Sequence, residues 1–148
     1  VDYHRAINKP IHYNSKLYEG YMAGGTNALL DGYRGGLTYL DGRWQGYLDD
    51  LDCVIDMEEE TDIHKVSIRF MQLIGPGVFQ PGQVELLTSE DGENFISRGI
   101  VPTTVTADDP DLLFQEYTFD GNWKTRYIRL KAPRANPGFI FADEIVVW

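Results

Sequence analysis

What this sequence lacks sets its first bounds. Its 148 residues hold a single cysteine, Cys53. No intrachain disulfide can form, and a cysteine-rich zinc site is excluded. Cys53 lies in the apolar run DCVIDM, where a buried, inert thiol outweighs a nucleophile. No stretch approaches the roughly 18 consecutive apolar residues of a membrane span. Positive charge is scarce: 13 Lys and Arg against 23 Asp and Glu leave a formal net charge of −10. Duplexes and anionic membranes are held mainly through basic patches, and this field repels both. No nucleic-acid partner and no membrane insertion are expected, and a neutral ligand or a cation fits better. The chain opens at Val1 without Met, so a mature or excised fragment is expected.

Catalytic signatures are missing as well. His4, His12 and His64 stand alone, without HExxH-like spacing, and no GxSxG elbow appears. The acidic runs DDLD, MEEETD, SEDGE and ADDPD read as solvated turns rather than as an acid/base pair. The glycine-dense stretch GGTNALLDGYRGG, residues 24 to 36, has neither the Lys-Ser/Thr of a phosphate loop nor a GxGxxG after a strand. Its glycines mean positive φ or a close approach, but not to phosphate.

What is present is a period of two. Val66, Ile68 and Phe70 alternate with Ser67 and Arg69, and Val84, Leu86 and Thr88 alternate with Glu85, Leu87 and Ser89. Ile128 and Leu130 share one face, opposite Tyr127, Arg129 and Lys131. DCVIDM, LFQEYTF and FIFADEIVVW read as further strands, rich in β-branched and aromatic residues. Asp91-Gly92 and Asp120-Gly121 carry tight-turn chemistry, and IGPGVFQPGQ and APRANPG are loops. The one helical signal is a short turn at TNALLDG, with Thr26 or Asn27 as N-cap. This pattern predicts an all-β fold, an antiparallel β-sandwich, in one domain over residues 1–148. The loops over 10–50, 74–83, 102–113 and 132–139 are where such a fold carries function.

Two chemistries suit those loops. Calcium takes six or more oxygens, mixing carboxylates with backbone carbonyls, and glycine-rich turns present carbonyls well. Asp31 in such a turn and Glu144 in an otherwise apolar final strand are the candidates. The competing reading is that Asp31 closes an Asp-Gly turn while Glu144 pairs with an Arg. Saccharides need aromatic faces beside a few orienting polar groups. Tyr39, Arg43 and Trp44 in YLDGRWQGY, Phe79 at a loop tip and Trp123 in DGNWKTRY are that type of residue. For Trp44 above all, packing in the core is the alternative, since a Trp just before a strand normally points inward.

Taken in order, NKPIHYNS, GGTNALLDGYRG, WQGY, DCVIDM, VSIRFMQ, VFQPGQVELLTSEDGENF, RYIRLKA and FADEIVVW resemble the discoidin-like, or coagulation-factor type C, β-sandwich. The chain is most similar to the family 32 carbohydrate-binding modules, in particular the C-terminal module of bacterial β-hexosaminidases of the chitobiase type. The resemblance implies a jelly-roll sandwich with a structural calcium ion. Its ligands would be Asp31, the carbonyl of Ala28, Glu144 and the carbonyl of Asp143. Tyr33 and Gly36 stand where the fuller pattern adds side-chain oxygens from Asn and Thr. The family's sugar site varies widely, and no His-Arg-Asn set stands here at recognisable spacing.

Two functional expectations follow. The first is a non-catalytic, monomeric module, extracellular, periplasmic or on the cell surface. It would hold a parent glycoside hydrolase near glycans bearing galactose or N-acetylhexosamine. The second is a structural module that packs on the catalytic domain and binds no sugar.

Overall fold

The computed structural model describes residues 3–148. Among these, helix is confined to two single 3-10 turns, Glu19–Tyr21 and Ala28–Leu30. The strands are β1 (Ile11–Tyr13), β2 (Gln45–Tyr47), β3 (Leu51–Gln72), β4 (Gln83–Ser89), β5 (Ile96–Pro102), β6 (Leu113–Ala132) and β7 (Ile140–Val147). They pair antiparallel in the order β2-β7-β3-β6-β4-β5, with β1 on β3.

The alternation carries through: Val66, Ile68 and Phe70 on β3, Val84 and Leu86 on β4, and Ile128 and Leu130 on β6 are all buried. One difference from the sequence reading matters. DCVIDM and HKVSIRF are two ends of one 22-residue strand, β3. Likewise LFQEYTF and RYIRLKA fuse into the 20-residue β6. Asp120-Gly121 is therefore not a turn but lies inside β6. Its glycine serves side-chain packing: a Cβ on Gly121 would come within 2.2 Å of the Trp123 ring. At Asp91-Gly92 the turn does form, with Gly92 at φ +78°, where glycine carries no steric penalty.

β3 and β6 bend together. Their register shifts between Asp56 and Thr61 and again between Ile63 and Lys65, the bulge that lets a paired ribbon turn. The bend folds the sheet on itself. Cys53 and Ile55 from the first half of β3 join Ile68 and Phe70 from its second half in one core, with Leu86, Ile128, Ile145 and Val147. This is the antiparallel β-sandwich the periodicity predicts. Burial pushes the Cys53 thiol up to about 12, so it stays protonated and inert.

A smaller cluster closes the end of the sandwich where β3 finishes and β7 begins. Trp44, Met71, Val78 and Phe141 are buried there, with Tyr21, Tyr39, Phe114 and Phe139 packed around them. The Ala28–Leu30 turn buries Leu29 and Leu30. Asn27 precedes it without capping it; its amide donates to Asn8 Oδ1 instead, at 2.9 Å.

Gly46 on β2 faces Phe141 on β7, and a Cβ there would stand 2.5 Å from the Phe141 ring. Gly46→Ala is expected to cost about 1–3 kcal/mol through overpacking, read as a lowered midpoint in denaturant unfolding. An unchanged midpoint would show that the aromatic cluster repacks freely.

Candidate functional site

β7 is buried along its whole length, yet β2 pairs with it only from Ile140 to Ala142. Beyond Ala142 its edge is taken up by other parts of the chain. Gly32 N–H donates to Glu144 Oε2 at 2.7 Å, and Gly35 N–H donates to Asp143 Oδ2 at 3.0 Å. Further on, Arg5 N–H donates to the Val147 carbonyl at 2.9 Å. The glycine-dense stretch thus wraps the open edge of the last strand, gripped by two consecutive acids.

Each acid has a second set of partners. Asp143 accepts from Arg69 Nε at 3.0 Å, while Arg69 Nη2 also donates to the Gly35 carbonyl at 2.9 Å. Burial pushes Asp143 up, against the pull of Arg69, Gly35 and Arg34. Glu144 Oε2 lies 2.7 Å from His4 Nε2, not beside an arginine. Glu144 Oε1 is buried with no hydrogen-bond partner. Burial pushes the Glu144 carboxyl up to about 9, with Asp31 and Asp143 adding repulsion and the Gly32 N–H opposing. Asp31 also closes a local turn, accepting Tyr33 N–H at Oδ1 at 2.9 Å. Ala28 is buried at the start of the turn that leads into Asp31. Among the described residues, no group of three or more His, Cys, Asp or Glu converges on a metal position. A cation at Asp31 and Glu144 would draw its other ligands from carbonyls.

The saccharide candidates separate in space. Trp44 is 1% exposed; its Nε1 donates to the Gly36 carbonyl at 3.1 Å and its ring stacks on Phe114. That is the packing arrangement. Arg43 is exposed and lies over the Tyr33 ring, 4.0 Å from its centroid. Phe79 is half-buried and closes on Gly138, where a Cβ would come within 3.0 Å of its ring. Trp123 pairs across from Ile63 at the bend of β3 and β6. Nine residues of strand, about 30 Å, separate Ile63 from Gln72 at the loop end. Trp123 therefore does not join the others.

Tyr39 does sit in an aromatic assembly, with partners the sequence reading missed. Tyr21 meets Tyr39 edge-on at 6.0 Å and Phe139 at 5.2 Å, and Tyr18 stacks on Tyr21 at 5.7 Å. Phe141 closes the group beneath Tyr21 and Tyr39. An open depression of about 430 Å³ runs beside it, lined among others by Glu19, Tyr21, Tyr39, Leu40 and Gly42. Tyr18 borders a second, of about 330 Å³, with Lys16 and Asp49. The signal in the sequence was the tyrosine spacing of YEGY, residues 18–21, which follows β1 and lies outside any strand. Gln45, from the same WQGY stretch, is buried and works as a staple. Its amide donates to the Met22 and Gly25 carbonyls at 3.1 and 2.9 Å, while its oxygen accepts from Tyr13 and Tyr47 hydroxyls.

No family model matches the chain, and no curated protein matches it. Solved structures do. The lectin domain of lectinolysin, solved with Lewis B antigen, superposes with a TM-score of 0.68 at 13% identity, covering 100% of this chain and 98% of that one. Chitosan-binding module 1 from a chitosanase/glucanase of Paenibacillus sp. IK-5 gives 0.66 at 12% identity, over 99% and 98%. CpGH89CBM32-5 of Clostridium perfringens, in complex with GalNAc-beta-1,3-galactose, gives 0.62 at 19% identity, over 95% of each chain. At these identities the likeness is one of fold: the chain has the fold of these modules, end to end.

The raised Glu144 carboxyl has a pH consequence. Its folded value near 9 lies above the ordinary 4.5, so the native state keeps a proton that the unfolded chain releases. Stability from this group is complete below about pH 4.5 and is lost as pH rises toward about 9. Thermal melts in metal-free buffer are expected to fall across that window, and Glu144→Gln to flatten the fall. A melting temperature that climbs through the window would reverse the assignment.

Proposed function

We propose that this chain is a non-catalytic carbohydrate-binding module whose ligand lies against the tyrosine cluster of Tyr18, Tyr21 and Tyr39. The observation that carries this reading is the cluster itself. Tyrosine rings locked edge-to-face by Phe139 and Phe141 stand beside open depressions at the loop end of the sandwich. Such rings offer apolar faces at little entropic cost, and Glu19, Lys16 and Asp49 at the rims offer the polar contacts that orient a sugar. The fold supports it: the similar structures include a chitosan-binding module and modules solved with GalNAc-beta-1,3-galactose and Lewis B antigen. Galactose and N-acetylhexosamine glycans are the ligand class, bound with a dissociation constant on the order of 0.1–1 mM because the site is shallow. The module is a monomer outside the cytoplasm. Tethering it to a glycoside hydrolase of β-hexosaminidase type would raise the enzyme's local substrate concentration.

A second reading rests on Leu37 and Leu40, which are 76% and 66% exposed beside the cluster. They suit a face that packs on a catalytic domain. Titration of the isotope-labelled chain with galactose, N-acetylgalactosamine and N-acetylglucosamine separates the two. Amide shifts in 18–22 and 39–42 are expected at millimolar sugar. Tyr39→Ala and Tyr18→Ala are expected to weaken binding about tenfold, about 1.4 kcal/mol. No shift with any of the three sugars would leave the packing reading.

The clasp adds a structural calcium ion to the proposal. Its support is the donor set: the Asp31 and Glu144 carboxyls are close enough to share a side-chain hydrogen bond, and Glu144 is buried. By resemblance the carbonyls of Ala28 and Asp143 complete the ligands. A bound cation would take the place of the proton that Glu144 otherwise keeps and fasten the glycine stretch to β7. Calcium at a hundredfold its dissociation constant would stabilise by about 2.7 kcal/mol. A chelator is therefore expected to lower the melting temperature, and Asp31→Ala to abolish that response. Melting that is indifferent to chelator would remove the ion.

A further inference from the structure

We propose that the outer face of the β1-β3-β6 sheet carries a second saccharide-binding site, centred on Arg129 and separate from the tyrosine cluster. The face is formed by residues that alternate with the core. His12 on β1 stands opposite Val54 on β3, and Val54 stands opposite Arg129 on β6. The loop after β4 folds toward this row, and together they bound an open cavity of about 480 Å³. It shares no lining residue with the depressions beside Tyr18, Tyr21 and Tyr39.

Its polar floor is held rigid. Asp52 accepts from Arg129 Nε at 2.8 Å and from Arg129 Nη2 at 2.7 Å. The same carboxylate accepts from Asn14 Nδ2 at 3.2 Å. One acid therefore orients a donor group and an amide, and neutralises the guanidinium it holds. Phe95 covers the guanidinium, 5.2 Å from ring centroid to Cζ. What remains unspent faces a ligand. Arg129 Nη1, Asn14 Oδ1, the His12 ring, the Glu93 carboxylate and the Tyr127 hydroxyl make no hydrogen bond among the described residues. All five residues line the cavity.

The ligand class follows from that inventory. A donor, two acceptors and two groups that do both, beside ring surface from Phe95 and Tyr127, match a pyranose, whose hydroxyls donate and accept around a C–H face. An anion is disfavoured because Glu93 shares the cavity and Asp52 already satisfies Arg129. A cation is disfavoured by the guanidinium. A neutral saccharide meets no such penalty. Two weak sites on one module would bind a multivalent glycan by avidity that neither supplies alone.

The test uses the whole labelled chain, titrated with galactose and with N-acetylglucosamine. Expected are shifts at the amides of Asn14, Gly92 and Tyr127 that follow their own isotherm, whatever happens at Tyr21 and Leu40. His12 and Glu93 are exposed, so His12→Ala and Glu93→Gln are expected to leave the melting temperature unchanged. Each should weaken the sheet-face isotherm about tenfold and leave the tyrosine-loop isotherm alone. Shifts confined to the tyrosine loops would overturn the second site while the first stands. Sheet-face shifts that ignore both substitutions would overturn it as well. Shifts on the sheet face alone would uphold it and remove the tyrosine site instead.

Discussion

The loop end of this sandwich depends on how the last strand protects its own edge. An unpaired strand edge is a row of unsatisfied backbone groups, and a buried one must be covered. β2 covers β7 for three residues only. Past it, the Glu144 N–H is taken by Asp143 Oδ1 and the Val147 carbonyl by the Arg5 N–H. The Asp143 and Glu144 carboxyls hold the crossing segment by accepting the N–H groups of Gly35 and Gly32. Consecutive strand residues point to opposite faces, so the two carboxylates grip the crossing segment from both sides. Burying two adjacent acids is costly unless each is bonded. Arg69 answers for one and His4 for the other.

That grip propagates into the site. Gly35, held by Asp143 and Arg69, lies so close to Trp44 that a Cβ there would reach 2.1 Å from the indole nitrogen. Trp44 in turn stacks on Phe114, with the Arg69 guanidinium over both rings. From there the contacts run through Phe141 to Tyr21 and Tyr39. Trp44 thus belongs to the buried support on which Tyr21 and Tyr39 pack. Gln45 fixes the other flank by fastening residues 22–25 to β2. Under the proposed function, tyrosines packed this way against Phe139 and Phe141 would need little ordering on binding a ligand, which lowers a cost that weak binders otherwise carry.

Much of the fold was legible because burial on one face of a strand leaves a period of two, as at Val66, Ile68 and Phe70. The continuity of β3 and β6 was not legible. Charged residues at 58–60 and an Asp-Gly pair at 120–121 carry turn chemistry wherever they occur, and only the pairing partner decides whether the strand runs on. In the candidate site, Glu144 was conspicuous as an acid among apolar neighbours, and Tyr39 as a loop aromatic. His4 carried no signal, since its role exists only because the N-terminal segment returns to β7, 140 residues away. Tyr18 and Tyr21 looked like loop residues until Phe139 packed against both.

By itself the sequence determined the class of structure and the chemistry at hand. Periodicity demanded an antiparallel sheet, one cysteine ruled out an intrachain disulfide, and the acidic charge argued against polyanionic partners. Glycines around Asp31 required a close approach of backbone to something. Tertiary structure alone decided what that something was, because the partner lies on the last strand and no local pattern points to it. It also decided which aromatics are core and which are surface. Trp44, Phe79 and Trp123 are the same kind of residue in the same kind of loop text. Their difference lies in where a bent sheet closes on itself, and that is a property of long-range pairing rather than of any residue's own preference.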